Sequence, residues 1–207
     1  MKPTYKKIYE LAKPFLRTRK NLIHTRIALR YALKLLKSEK GEEDVVIPAI
    51  ILHDVGWKAI PKHLHLTAFG PNPSNPKLAR VHEREGAKMA RILLNDLHYL
   101  PIKINEISHI IGGHDSRKRA ISLSDRIVKD ADKLWRYSRT GVKVETERFN
   151  VPRSIYLNFL EKIIKEWFLT KTGREIAKSE MASRRKEKES GKLGAKKKRH
   201  LKIHRIV

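Results

Sequence analysis

Residues 49–57 read AIILHDVGW, an apolar run that ends on the adjacent pair His53-Asp54. From 45 to 52 every residue is apolar, which predicts a short central helix over 43–53 ended by Gly56. A histidine and an ionisable carboxylate are poor core material unless something compensates them. Imidazole and carboxylate together are the ligands that divalent metals select. On a helix the two side chains stand about 100° apart, so both reach one ion only where the backbone turns away at a helix end.

Helical spacing continues on both sides. Residues 3–17 form a short amphipathic stretch. Between 20 and 37, Leu22, Ile23, Ile27, Tyr31, Leu35 and Leu36 recur at helical intervals. Residues 61–76 hold four prolines and read as a long loop, the kind of loop that tends to be functional. Asn75-Pro76 reads as the cap and first turn of a helix reaching about Asn95. Pro101 opens another, which stops at Gly112-Gly113. A further helix starts at Ser124 or Asp125 and runs to about Tyr137. Residues 139–150 read as a polar loop or a short hairpin, and 152–169 and 172–189 as the last helices. The chain is therefore expected to be all-α. It reads as a single helical bundle over 1–182 with C-terminal helices, followed by a basic, mobile tail over 183–207.

The 207 residues include no cysteine, which excludes disulfides, thiolate metal sites and cysteine nucleophiles. No run approaches the roughly 18 apolar residues of a membrane span, and the first residues lack the apolar stretch of a signal peptide. A cytoplasmic location is the expectation. The formal net charge is +25, of which 183–207 supplies +9 from eleven Lys/Arg against two Glu. Acidic residues number under half the basic ones, so the basicity belongs to the body as well as the tail. Such a field draws anions: phosphorylated metabolites, nucleotides or nucleic acid.

The doublet has company. His24 lies near the start of its helix, Asp130 and Asp132 lie on a later one, and His82 and His114-Asp115 lie between. Asp130 and Asp132 are about 200° apart on a helix and should not share an ion. They flank the apolar face of Ile127, Val128, Ala131, Leu134 and Trp135 symmetrically, so periodicity does not choose between them.

The order H…HD…D on helices resembles the HD superfamily of metal-dependent phosphohydrolases, over residues 22–135. His24 matches the first histidine, His53-Asp54 the doublet and, from the step ADKL, Asp132 the closing aspartate. The resemblance leaves Asp130 to hydrogen-bond a ligand. VHEREGAKMARILL and IIGGHDSR resemble the later histidine segments of subfamilies that hold a second metal. His82 and His114 would then bind a second ion or line the phosphate site. The GYP signature is absent, so cleavage of cyclic dinucleotides is not implied. His63, His65 and His98 match nothing and read as solvated or loop residues.

The resemblance implies one or two divalent ions (Mn, Fe, Co, Ni, Zn or Mg) and a phosphorylated small-molecule substrate, foremost a nucleotide, attacked by metal-activated water. Asp54 would ligate the ion and orient the water. His82, Asp115 and Glu83 are the candidates for acid–base work. Lys58, Arg117 and Lys133 are the candidates for holding phosphoryl charge, by their places beside the doublet, His114-Asp115 and Asp132. Two other readings stand beside this one. The same ligands suit a two-iron oxygenase of similar fold. Alternatively the basic tail contacts RNA or DNA through phosphates, and the metal site is accessory. Nothing in the sequence addresses oligomeric state.

Overall fold

The structure, a computed structural model, describes residues 2–69 and 73–203, with side chains to residue 187. It is helical, with no strand among the described residues. Helices α1 (Pro3–Leu16), α2 (Asn21–Leu35) and α3 (Glu43–Leu52) are followed by two 3-10 segments, Val55–Ala59 and Lys62–Thr67. Then come α4 (Lys77–Asp96), α5 (Pro101–Ile111) and α6 (Leu123–Leu134), which runs into a 3-10 turn, Trp135–Tyr137. The chain closes with α7 (Arg139–Arg148), α8 (Arg153–Trp167) and α9 (Lys171–Ile203). Among the described residues no helix is long and apolar enough to cross a membrane.

Helix α3 is the axis of the bundle. All its residues from Val45 to Leu52 are buried, and it packs against α1, α2, α5 and α6. Its β-branched residues and Pro48 are weak helix formers, so burial of roughly 1.5–3 kcal/mol per large side chain holds it. Pro48 has no N–H to offer the carbonyl of Asp44. The Tyr99 hydroxyl donates to that oxygen instead, at 2.7 Å.

The helix ends one turn before Gly56, at Leu52, and the doublet sits in the turn that follows. Gly56 thus does something other than stop the helix. A side chain there would drive its Cβ into the carbonyl oxygen of His82 and the backbone of Gly86. The 3-10 segment lies directly on α4 through this contact, which brings His82 up to the doublet. Gly56→Ala is expected to destabilise the fold by about 1–3 kcal/mol, the usual scale of overpacking. Thermal melting checks it, and an unchanged melting temperature would show that α4 withdraws at no cost.

Several boundaries differ from the sequence reading. Residues 139–150 form α7 rather than a loop or hairpin. The Ser138 hydroxyl caps it by accepting from Gly141 N at 3.0 Å. Its inward face includes Val142 and the ion-paired Glu145, so a polar residue at a core position hid the helical period. The 61–76 loop contains the 3-10 segment Lys62–Thr67. Within it His65 is buried, bonded through Nε2 to the Ile60 carbonyl at 2.9 Å, rather than solvated. Helix α4 starts at Lys77 with no side-chain cap, so Asn75 does not cap it. Helix α6 is capped by Ser122, whose hydroxyl accepts from Asp125 N.

Helix α9 is continuous across residues 182 and 183, and Met181 and Arg184 on it are buried. The side chains from 188 onward, on which the nucleic-acid reading of the tail depends, lie outside the described residues.

Candidate metal centre

Four ligand atoms from two helices, α2 and α6, and the turn after α3 converge at the C-terminal end of α3. His24 Nε2 lies 2.9 Å from His53 Nε2 and 3.0 Å from Asp132 Oδ1. His53 Nε2 lies 3.5 Å from Asp132 Oδ1 and 3.6 Å from Asp54 Oδ2. His24 Nε2 stands 3.8 Å from the same Asp54 oxygen. Ions hold imidazole nitrogen at about 2.0–2.1 Å, so ligand atoms on one ion sit roughly 3–3.4 Å apart. His24, His53 and Asp132 stand close to that spacing around one point, and Asp54 Oδ2 stands slightly beyond it.

A second cluster abuts the first. His82 Nε2 lies 3.3 Å from His114 Nε2, and both face Asp115 Oδ2, at 3.5 and 3.7 Å. Both also face the other oxygen of the doublet aspartate, Asp54 Oδ1, at 3.9 Å. Asp54 thus turns one oxygen to each cluster, and its Oδ1 is fixed by the Trp57 indole N–H at 3.0 Å.

The hydrogen bonds behind the imidazoles say what the front needs. His53 Nδ1 lies 2.8 Å from the Ile50 carbonyl, and His114 Nδ1 lies 2.8 Å from the Ile111 carbonyl. A carbonyl only accepts, so each Nδ1 donates and each neutral ring points an Nε2 lone pair inward. Lone pairs of nitrogen and carboxylate oxygen meeting at these distances repel unless a cation lies among them. Without an ion the cluster draws a proton instead, which marks the same demand for positive charge. Burial alone would lower the pKa of His53, yet Asp54 and Asp132 hold it up at about 9. Against burial, His53 and His24 hold Asp54 well below the usual carboxylate range, and His24 and His53 do the same for Asp132. His82 goes the other way, to about 4, through burial and the neighbouring His114, and is neutral at pH 7. The residues fit a divalent cation in both clusters.

Two buried side chains hold the 113–116 turn that carries His114 and Asp115. Lys129 donates to the carbonyls of Gly113 and His114, at 2.6 and 2.8 Å. Glu83 accepts from the backbone N–H groups of Asp115 and Ser116, at 2.9 and 2.8 Å, and from the Ser116 hydroxyl at 2.7 Å. Glu83 is therefore committed to the turn and is not free for acid–base work. Trp57 stacks on His82, centroids 4.2 Å apart.

Above the clusters opens a pocket of about 280 Å³. Its floor presents His24, Asp54, Asp115 and Asp132, and its walls include Arg19, Arg136, Arg148, Asn21, Trp57 and Phe69. The cations expected from the sequence are elsewhere. Lys58 is exposed and does not line the pocket. Lys133 donates to the Trp167 carbonyl at 3.0 Å. Arg117 pairs with Asp125 at 2.8 Å. Asp130 also leaves the centre. It accepts from Leu169 N, Thr170 N and the Thr170 hydroxyl, fixing the start of α9 rather than a metal ligand.

The three arginines that do line the pocket escaped the sequence reading. Arg19 lies over the rings of Trp57 and Phe69, at 3.6 and 3.8 Å. Its Nε and Nη1, and Asn21 Nδ2, are buried donors with no hydrogen-bond partner among the described residues. Arg148 pairs with Glu145 at 2.6 Å. Asp132, with Glu145 next, raises the pKa of Arg136 in spite of its burial. One signal was readable in advance: Arg136 follows Asp132 by four residues and so shares its face.

In sequence, residues 21–137 match the HD domain family. No curated protein matches the chain in sequence. Among solved structures it is similar to one described as a predicted HD superfamily hydrolase from an uncultured Thermotogales bacterium. The two are 18% identical, each is covered over 91% of its length, and the TM-score is 0.61. At that identity the likeness speaks for the fold.

Proposed function

Because the chain belongs to the HD-domain family, whose members are metal-dependent hydrolases, we propose that it cleaves a phosphate ester of a small molecule at a two-ion centre. Nucleotides are the first substrate class to assay. The observation that carries the phosphate reading is the set of buried, unpartnered donors on Arg19 and Asn21, facing a pocket whose floor is a carboxylate and imidazole cluster. An oxyanion supplies the acceptors that these donors lack. The donors speak for an oxyanionic substrate, and it is the family match that favours hydrolysis over two-iron oxidation.

Divalent ions, when bound, acidify water and polarise a phosphoryl oxygen. His24, His53 and Asp132 would hold one ion, His82, His114 and Asp115 the other, with Asp54 shared. The chain's own residues do the rest. Arg19 and Asn21 seat the non-bridging oxygens. Arg136 and Arg148 supply positive charge along the wall as charge builds on phosphorus. Asp115 is the carboxylate most open to the pocket, and it receives a hydrogen bond from the attacking water. His82, buried behind Trp57, acts as a ligand rather than a proton carrier.

The second cluster is the more open of the two, its Asp115 side chain being 41% exposed where that of Asp132 is 6%. His82 Nδ1 has no hydrogen-bond partner among the described residues, so nothing fixes its tautomer. Manganese titration by calorimetry is expected to show two classes of site, the second weaker by roughly 10–100-fold, the usual cost of a missing supporting bond. His82→Ala removes only the weaker class and His53→Ala the tighter. Phosphate release from nucleotides and generic phosphoesters should require the metal. No turnover of any of them by the loaded protein, together with unchanged metal content in His53→Ala, would sink the reading.

A further inference from the structure

The phosphate pocket does not end at its basic wall. Phe69, Arg136 and Glu145 line it on one side and, on the other, line an adjoining groove of about 470 Å³. The rest of that groove is Phe149, Val151, Ile155, Tyr156, Phe159 and Trp167, from the end of α7, the connector and α8. Phe159 and Trp167 meet edge to face, centroids 5.8 Å apart, and the Arg136 guanidinium lies over the Trp167 ring at 5.8 Å. Ile155 and Phe159, one helical turn apart, are 58% and 47% exposed. An apolar, aromatic surface left open beside a cationic phosphate seat has the form of a subsite for the substrate's organic part.

Resting on the phosphohydrolase reading above, we propose that the ester cleaved here carries an apolar, ring-bearing organic group. That group packs against Phe159 and Trp167 while the phosphate sits in the metal pocket, with Arg136 at the junction. A nucleobase suits the groove less well. Its edge bears several donors and acceptors, and burying them unmatched is costly. Apart from the Tyr156 hydroxyl, the polar lining is Arg136 and Glu145, and Glu145 is already bonded to Arg148.

Three esters that share a primary alkoxide leaving group test this: 2-naphthylmethyl phosphate, a nucleoside 5′-monophosphate and glycerol phosphate. With the full-length, manganese-loaded protein, kcat/KM should fall in that order. The first should exceed the last by roughly tenfold or more, the scale of discrimination in an apolar pocket. The double variant Ile155→Ser, Phe159→Ser should level the series while leaving glycerol phosphate turnover unchanged, since neither side chain lines the metal pocket. A preference for the nucleotide overturns the proposal. So does a series unchanged by the double variant, or a variant whose one effect, by sedimentation, is loss of self-association. If no ester is turned over at all, that result counts against the hydrolase reading and not against the groove. The groove is then tested alone by calorimetry with 2-naphthylmethyl phosphonate: binding weakened at least about tenfold by the double variant supports the subsite, and equal binding rejects it.

Discussion

Asp54→Ala is expected to lower kcat by roughly a thousandfold or more, the upper range for losing one preorganised group that stabilises developing charge. The geometry makes it the costliest single change. Asp54 faces His24 and His53 through Oδ2, and His82 and His114 through Oδ1. Its removal opens both clusters at once, whereas losing His82 opens one. Manganese content by elemental analysis should therefore fall at both classes of site. Asp54→Asn keeps one oxygen and the volume. It is expected to retain metal at one class and still lose turnover. The fold should survive both changes, because the side chain lines the pocket rather than the core, and far-UV circular dichroism checks this. Wild-type metal content in Asp54→Ala would place the ions elsewhere and remove the basis for the two-ion centre.

The sequence made the helical fold and the histidine–aspartate cluster legible for one reason: both are written in local patterns. A run of eight buried residues in α3 announces its central position. Histidine beside aspartate at the end of such a run is rare enough to stand out. His24, Asp132, His82 and His114 could be placed around that doublet by order along the chain, and the structure brings all of them within reach of it. Periodicity left Asp130 and Asp132 open, and the structure separates them as their helical angle requires. One faces the metal cluster and the other the start of α9.

The cations show where local pattern fails. Lys58, Lys133 and Arg117 follow site residues in sequence, and that adjacency is what marks them. Yet neighbours along a helix point about 100° apart, and Lys133 accordingly turns from Asp132 to the Trp167 carbonyl. The arginines of the pocket wall come from a loop before α2, the turn after α6, and α7. Only the tertiary fold gathers them, and among 47 lysines and arginines no spacing marks out Arg19 or Arg148; Arg136 alone carries a local signal, four residues after Asp132. Lys129 and Glu83 were hidden in the same way. Each is a charged residue on a helix whose function is to tie down a turn more than ten residues away. Helix α7 was missed because one of its inward positions is Glu145, which is buried only because Arg148 pairs with it.

Arg19→Met is expected to lower kcat/KM for phosphate esters by roughly 10²–10³-fold, the cost of removing one charge-stabilising donor, with metal content unchanged. Arg19 occupies a left-handed backbone position, φ 50°, just before α2. The Arg148 guanidinium donates to its carbonyl at 2.7 Å. The chain is thus bent and tied so that the guanidinium lies against Trp57 and Phe69, with two nitrogens lacking any acceptor among the described residues. Burial lowers its pKa to about 10, and it remains a cation at pH 7. Such an arrangement costs folding free energy, since a half-buried charge without a partner is poorly solvated. Methionine keeps the apolar contact with both rings and removes that charge. Its melting temperature should therefore equal or exceed that of the parent while activity collapses, a signature that a merely structural arginine would not give. Arg19→Lys should not restore activity, because an ammonium offers neither the flat stacking surface nor the paired donors. Loss of bound metal in parallel with activity would mean that Arg19 supports the ion cluster and not the phosphate. Full activity in Arg19→Met would mean that its unpartnered donors meet no oxyanion.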